Sequence, residues 1–334
     1  MRMVAGKAVP AGPERCWEPI PLEAIEEARE RARGAVLRTP LVRLDADEPD
    51  PAIHLKLECL QPIRSFKLRG AHNAMAKAGH AALAEGVWTG SAGNMAQAVA
   101  WAARALGVPC TVYVPETAPR TKIANVGRYG GTVVELPVDE WVDIFRTRHR
   151  EGASGVFVHP YSDPDVMAGN GVIGLEILED LPEVEAVIVP WGGGGLCCGI
   201  ASAIKALRPQ TRVYASEIYT GAPLAPSLAA GRPVEVPYVP SFADGIGSPF
   251  INAEMFDLAQ RLLDGAIVVS REETAAAARL ILERNRVVPE GAAATSLAAA
   301  LTGRAGRGPI ACLVSGGNVD TQTLTTILQG SAPA

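Results

Sequence analysis

Apolar runs alternate with longer amphipathic stretches along most of the chain. Leu22, Ile25 and Ala28 form a stripe at helical spacing, and Pro21 stands where a first helical residue belongs, so a helix is predicted over 22–33. Strands are predicted over 53–57, 110–114, 132–136, 155–158, 186–190, 212–215, 266–269 and 310–314. Most are nearly unbroken apolar runs, as parallel strands covered on both faces require. Helical patterns fall between them, among others at 95–106, 196–207 and 272–283. Repeated strand–helix alternation predicts an α/β fold with parallel sheets. There is no internal repeat and no low-complexity segment. Gly231 to Pro249 is Pro-rich and reads as a long functional loop. Residues 1–18, rich in Pro, Gly and Ala, read as a flexible tail.

Composition narrows the function classes. The 334 residues are 48% hydrophobic and 20% charged, with a formal net charge of −5. No basic run or aromatic-studded basic stripe stands out, so no nucleic-acid partner is expected. Six cysteines (Cys16, Cys59, Cys110, Cys197, Cys198, Cys312) form no CxxC pair, and five histidines show no HxxxH spacing. No metal site is therefore expected, and the free thiols fit a reducing cytoplasm. No continuous apolar h-region opens the chain and no stretch of about eighteen apolar residues occurs, so neither a signal peptide nor a membrane span is expected.

Ligands of open α/β sheets gather at the carboxyl ends of strands, and four segments there carry candidate chemistry. In Trp191-Gly-Gly-Gly-Gly-Leu196 a strand passes through four glycines into a helix. Several N–H groups can converge there with the helix's positive end, which suits a phosphate. The segment is neither GxGxxG nor a P-loop, which speaks against a dinucleotide or ATP. Gly90-Ser-Ala-Gly-Asn-Met-Ala-Gln97 offers helix-start N–H groups for a carboxylate, although Ser and Asn also serve as plain N-caps. In Ser65-Phe-Lys-Leu-Arg-Gly-Ala71 a lysine lies between Phe66 and Leu68. Desolvation there would lower its pKa and make it a nucleophile or base, whereas a snorkelling surface lysine is the common alternative. Val314-Ser-Gly-Gly-Asn-Val-Asp320 places Ser315 where it can bond a ring atom, or is simply a glycine-rich turn.

Together with Glu290-Gly-Ala-Ala-Ala294, these segments resemble, in order and spacing, the fold type II pyridoxal-5′-phosphate (PLP) enzymes, specifically the threonine/serine dehydratase and serine racemase group. The resemblance covers roughly residues 35–325. It implies that Lys67 is the Schiff-base lysine and Cα base, with Phe66 beside the cofactor ring and Glu290 near it. Asn94 would bond the phenolic oxygen. Gly192, Gly193, Gly194 and Gly195, with the Leu196 N–H, would cradle the phosphate, and Ser315 would meet the pyridine nitrogen. A serine at that position, rather than an aspartate, fits elimination better than transamination. Ser91, Ala92, Gly93 and Asn94, with Met95 next to them, would line the substrate carboxylate.

The sequence also departs from the group. Met95 replaces a usual His or Thr, and Gly169-Asn-Gly171 replaces a usual Gly-Gln-Gly. Ala92 stands where serine racemases carry their second acid/base, which disfavours racemisation. Of the carboxylates that hold a divalent cation in some relatives only Glu217 is matched; Gly221 and Pro223 follow it. The resemblance thus implies a two-domain enzyme like the tryptophan synthase β subunit. A large PLP-binding domain (19–85 and 161–334) would carry a small inserted one (86–160), in a homodimer. No appended regulatory module is expected, since few residues follow Ser315. The implied reaction is loss of water from a β-hydroxy amino acid of the L-threonine or L-serine type, giving a 2-keto acid and ammonia. A PLP-dependent racemase or β-replacement enzyme, or a non-catalytic amino-acid-binding regulator on the same scaffold, remain as alternatives.

Overall fold

A computed structural model describes residues 17–46, 52–118 and 120–333, with 121 and 122 as backbone only. Ten strands follow in chain order: β1 (Leu41–Arg43), β2 (Ile53–Lys56), β3 (Val87–Gly90), β4 (Cys110–Pro115), β5 (Thr132–Leu136), β6 (Val156–Phe157), β7 (Ala186–Pro190), β8 (Arg212–Ile218), β9 (Gly265–Val269) and β10 (Ile310–Leu313). Twelve helices accompany them: α1 (Leu22–Arg31), α2 (Lys67–Ala82), α3 (Asn94–Leu106), α4 (Arg120–Arg128), α5 (Val138–Thr147), α6 (Pro164–Asp180), α7 (Gly195–Leu207), α8 (Leu224–Ala230), α9 (Ala253–Leu262), α10 (Arg271–Asn285), α11 (Gly291–Leu301) and α12 (Thr321–Leu328).

The strands form two sheets. One runs β1-β2-β10-β7-β8-β9 and the other β5-β4-β3-β6. Every pair is parallel except β1 with β2, a short antiparallel edge that the hydropathy pattern does not mark. The α/β reading with parallel sheets is thus the observed one. Predicted ends shift by a few residues: the first helix stops at Arg31, β6 keeps only Val156 and Phe157, and β8 runs on to Ile218.

The side-chain alternation of β7 shows how the large sheet is covered. Val187 and Val189 enter a cluster with α1, α6, α7 and α9, while Ala186 and Ile188 enter a second with α10 and α11. Val187, Ile188 and Val189 are wholly buried, each side chain stabilising the fold by about 1.5–3 kcal/mol. The small sheet is covered likewise, by α2 and α3 on one face and α5 on the other. Of residues 1–18, the first sixteen lie outside the described residues. Trp17 and Glu18 are held down: the Trp17 indole donates to Ser162 Oγ at 3.1 Å, and Glu18 pairs with Arg261 at 2.8 Å. No helix among the described residues is long and apolar enough to cross a membrane.

Candidate active site

Strand order decides what meets at the site. β2, β10 and β7 are adjacent and parallel, so their carboxyl ends lie along one edge. The chain leaves β2 towards Lys67, β10 towards Ser315 and β7 towards Gly192–Gly195. In the small sheet, the Ser91–Asn94 loop leaves β3, a central strand. Three cross-contacts knit these loops together. Phe66 N donates to Ser315 O at 3.0 Å, Ser65 forms an isolated bridge with Gly316, and Glu290 N donates to Gly316 O at 2.9 Å.

Lys67 is the first residue of α2. Its amine donates to Pro160 O at 2.6 Å and lies 5.1 Å from the centre of the Phe66 ring. Burial pulls its pKa from 10.5 down to about 8, against the charge of Glu290, which works to raise it. The residue as a whole is half-buried, with its amine turned inward to Pro160 O. Pro160 is a partner the sequence reading did not single out, since a backbone carbonyl leaves no signature in side-chain identity.

Packing gives the four glycines reasons that the sequence did not show. A Cβ on Gly193 would lie 2.2 Å from the Tyr161 ring, and one on Gly195 would lie 2.3 Å from Tyr161 O. At Gly194, φ is +92° and a Cβ would meet the Trp191 ring at 2.5 Å. A Cβ on Gly192 would lie 3.2 Å from Gly245 O. Tyr161 and Trp191 therefore pack so closely on the loop that no side chain fits there, which leaves its backbone N–H groups and the start of α7 to meet a ligand. The Leu196 side chain packs in the large core, so only its N–H can serve the loop. Asn170, on α6, donates to Gly195 O at 3.4 Å, while its buried Oδ1 has no partner among the described residues.

Asn94 opens α3 and gives its amide to both oxygens of Glu290, at 3.0 and 3.1 Å. Glu290 stands just before α11. Asn318, also not singled out from the sequence, donates to Asn94 Oδ1 at 2.8 Å. Ser315 is buried, and its hydroxyl makes no hydrogen bond among the described residues. Ser91 Oγ accepts from Gly93 N at 3.2 Å, which shapes that loop. The Met95 side chain turns into the apolar cluster beneath α3, and Ala92 packs against the same cluster.

Glu217 has other work. Its two oxygens accept from Leu224 N and Ala225 N, each at 2.8 Å, capping α8. No group of three metal-ligating side chains occurs among the described residues. With both oxygens turned to backbone N–H groups and Gly221 and Pro223 as neighbours, the site does not fit a cation.

The groups gathered there suit an anionic ligand: a lysine amine, a glycine cradle at a helix start, a buried hydroxyl without a partner among the described residues and an amide donor. Over residues 32–316 the chain matches the family described as pyridoxal-phosphate dependent enzyme. It is 40% identical over 317 residues to an L-threonine ammonia-lyase of Geobacter sulfurreducens, covering 93% of this chain and 78% of that protein. It is 34% identical over 313 residues to a serine racemase of Oryza sativa subsp. indica, covering 91% and 92%. Among solved structures, maize serine racemase aligns with a TM-score of 0.85 at 33% identity, over 93% of this chain and 98% of that one. The processed form of threonine deaminase isoform 2 from Solanum lycopersicum aligns at 0.82 and 29% identity, over 92% and 86%. With the match running through Lys67, the Asn94 loop and the glycine cradle, the chain belongs to the pyridoxal-phosphate-dependent enzymes, in their threonine/serine dehydratase and serine racemase group.

Proposed function

We propose that this enzyme removes water from a β-hydroxy amino acid of the L-threonine or L-serine type, releasing a 2-keto acid and ammonia. The observation that carries the reading is Lys67: one desolvated amine in the site, with Ala92 rather than a hydroxyl where a second proton-transfer group would stand. The likeness to relatives named L-threonine ammonia-lyase supports it.

Lys67 would hold the cofactor through its amine. The Gly192–Gly195 backbone would hold the phosphate, and Ser315 and Asn94 would meet the ring's nitrogen and phenolic oxygen. Bound PLP supplies an electron sink for charge that develops at Cα. The N–H groups of Ser91–Asn94 at the start of α3 would fix the substrate carboxylate. The Lys67 amine would take the Cα proton and pass it from its ammonium to the β-hydroxyl, which would leave as water; the freed enamine would then take up water to give the 2-keto acid and ammonia. Proton return from the opposite face would need an acid there, and Ala92 supplies none. The two sheets, joined through the 159–163 crossover, support a reading as a large domain and a small inserted one (86–160) with the site between them. The same reading takes the enzyme as a cytoplasmic homodimer, on the thiol pattern and the family likeness.

Incubation with PLP and L-threonine, L-serine or other β-hydroxy amino acids should release 2-oxobutanoate from threonine and pyruvate from serine. Keto-acid release from none of them would overturn the lyase reading. A D-isomer or a new β-substituted amino acid would replace it with racemisation or β-replacement. A second expectation concerns pH. Only the neutral amine is a nucleophile, so PLP uptake by the cofactor-free chain should rise about tenfold per pH unit below about pH 8 and level off above it. A rate still climbing at about pH 10, near the ordinary lysine value, would show an unperturbed amine.

A further inference from the structure

A primary amide has two ends, and which end faces a ligand decides whether it donates or accepts. At Asn94 that choice is made by a chain of bonds anchored on backbone. Asn318 Nδ2 donates to Ile63 O at 3.0 Å. A backbone carbonyl can only accept, so the amino end of Asn318 must face that way. The same Nδ2 donates to Asn94 Oδ1 at 2.8 Å. The oxygen of Asn94 is thereby committed, and its amino group is left pointing into the site, where Glu290 receives it. Asn318 N also donates to Glu290 Oε2 at 3.2 Å, which holds that acceptor in place. The donors therefore run outward from Asn318, to Ile63 O on one side and through Asn94 to Glu290 on the other. They cross from the loop after β10 in the large sheet to the loop after β3 in the small one.

We propose that Asn318 is a positioning residue that fixes Asn94 as a hydrogen-bond donor towards the ring oxygen of the cofactor. The proposal rests on the reading that Asn94 meets that oxygen. An anionic ring oxygen takes a donor and repels an amide oxygen, so a flipped Asn94 would oppose the cofactor instead of holding it. Asn318 touches neither cofactor nor substrate in this account and acts through Asn94 alone. Asn318→Asp is the sharpest variant. It is nearly isosteric but cannot donate to Asn94 Oδ1; its carboxylate accepts the Asn94 amino group and turns the amide over.

The test is a mutant cycle on the dissociation constant of PLP, measured on the full chain freed of cofactor. The readouts are the visible absorbance of the bound cofactor and, as a folding control, the melting of each cofactor-free variant. Asn94→Ala is expected to weaken PLP by about tenfold, the scale of one lost bond to a charged acceptor. Asn318→Ala should weaken it several-fold, and Asn318→Asp by more than Asn318→Ala, with the absorbance band altered. In the Asn94→Ala background both Asn318 substitutions should change the constant less than twofold. Effects of Asn318 that persist undiminished in that background would overturn the proposal, because Asn318 would then act through Ile63 as a loop support. Asn94→Ala with unchanged PLP affinity and spectrum would overturn the assignment of Asn94 itself, and the proposal with it.

Discussion

Lys67→Ala should remove keto-acid formation and the visible absorbance of the lysine-bound cofactor in one step, while the cofactor-free chain folds as before. Loss of the general base alone lowers turnover by about 10²–10⁴-fold, and loss of the tether adds to it, so a fall of about 10³-fold or more is expected. The Lys67 amine is held by a backbone carbonyl, Pro160 O, and the charge that acts on it is the carboxylate of Glu290, neither of which can replace an amine. The stability effect has the opposite sign. Burial depresses the Lys67 pKa to about 8, so at neutral pH the folded chain carries an ammonium it would rather shed. Lys67→Met, which keeps the stem and drops the charge, should melt higher than the parent when both are cofactor-free. A depressed lysine destabilises fully below its folded pKa and is relieved as pH rises from there to the unfolded value. The gain of Lys67→Met should thus be largest below about pH 8 and shrink towards pH 10.5. Melting curves at several pH values check this. A gain independent of pH would assign it to packing. Retained turnover in Lys67→Ala would remove the residue from the mechanism.

Much of this site was readable from the sequence because its parts are backbone devices with strong residue signatures. Four consecutive glycines, Ser-Ala-Gly-Asn and Ser-Gly-Gly-Asn each follow an apolar strand, and their order resembles one enzyme group. The structure adds what such signatures cannot carry. Pro160 contributes only a carbonyl. Tyr161 demands glycine at 193 and 195, through a contact between segments more than thirty positions apart. Asn318 belongs to the Ser-Gly-Gly-Asn segment, yet its partner Asn94 lies 224 positions away, and no local spacing announces the pair. The fold shows the same division. Amphipathic α1 and α3 stand out by periodicity. α11 is buried along ten of its eleven residues and α6 along thirteen of seventeen, so neither presents the polar face that would mark it. Strand ends drift for a related reason: β8 continues through Ser216 and Glu217, which are polar but buried, so apolarity stops before the hydrogen bonds do.

Glu217 is one such buried carboxylate, and Glu58 and Glu176 are two more whose partner carries a large prediction. Arg69 follows Lys67 by two residues, a turn of about 200° around the helix. Lys67 thus faces the pocket while Arg69 faces the core. There its Nε and Nη2 bond the two oxygens of Glu58, and its Nη1 and Nη2 bond those of Glu176, all at 2.8 Å. Lys56, fully buried, adds a 2.7 Å contact to Glu176 and donates to Thr39 O at 2.6 Å. Two cations and two carboxylates balance, and the cluster ties β2 and α6 to the first turn of α2. Burial works to raise the Glu58 carboxyl, but the charge and hydrogen bonds of Arg69 prevail and hold it below its usual range. Arg69→Met keeps the volume, leaves Glu58 without a cation and Glu176 with Lys56 alone. Breaking a buried pair from one side costs about 3–5 kcal/mol, which for a chain of this size is a fall of about 5 °C in Tm. Arg69→Lys should recover little, because one ammonium cannot replace two bidentate bridges. Glu58→Gln placed on Arg69→Met should restore part of the loss by removing a stranded charge, whereas on the parent it should destabilise. That reversal of sign, read by thermal melts of the four proteins, separates an electrostatic clamp from simple packing. If Glu58→Gln destabilises both backgrounds equally, the clamp is not what holds the Lys67 helix to the core.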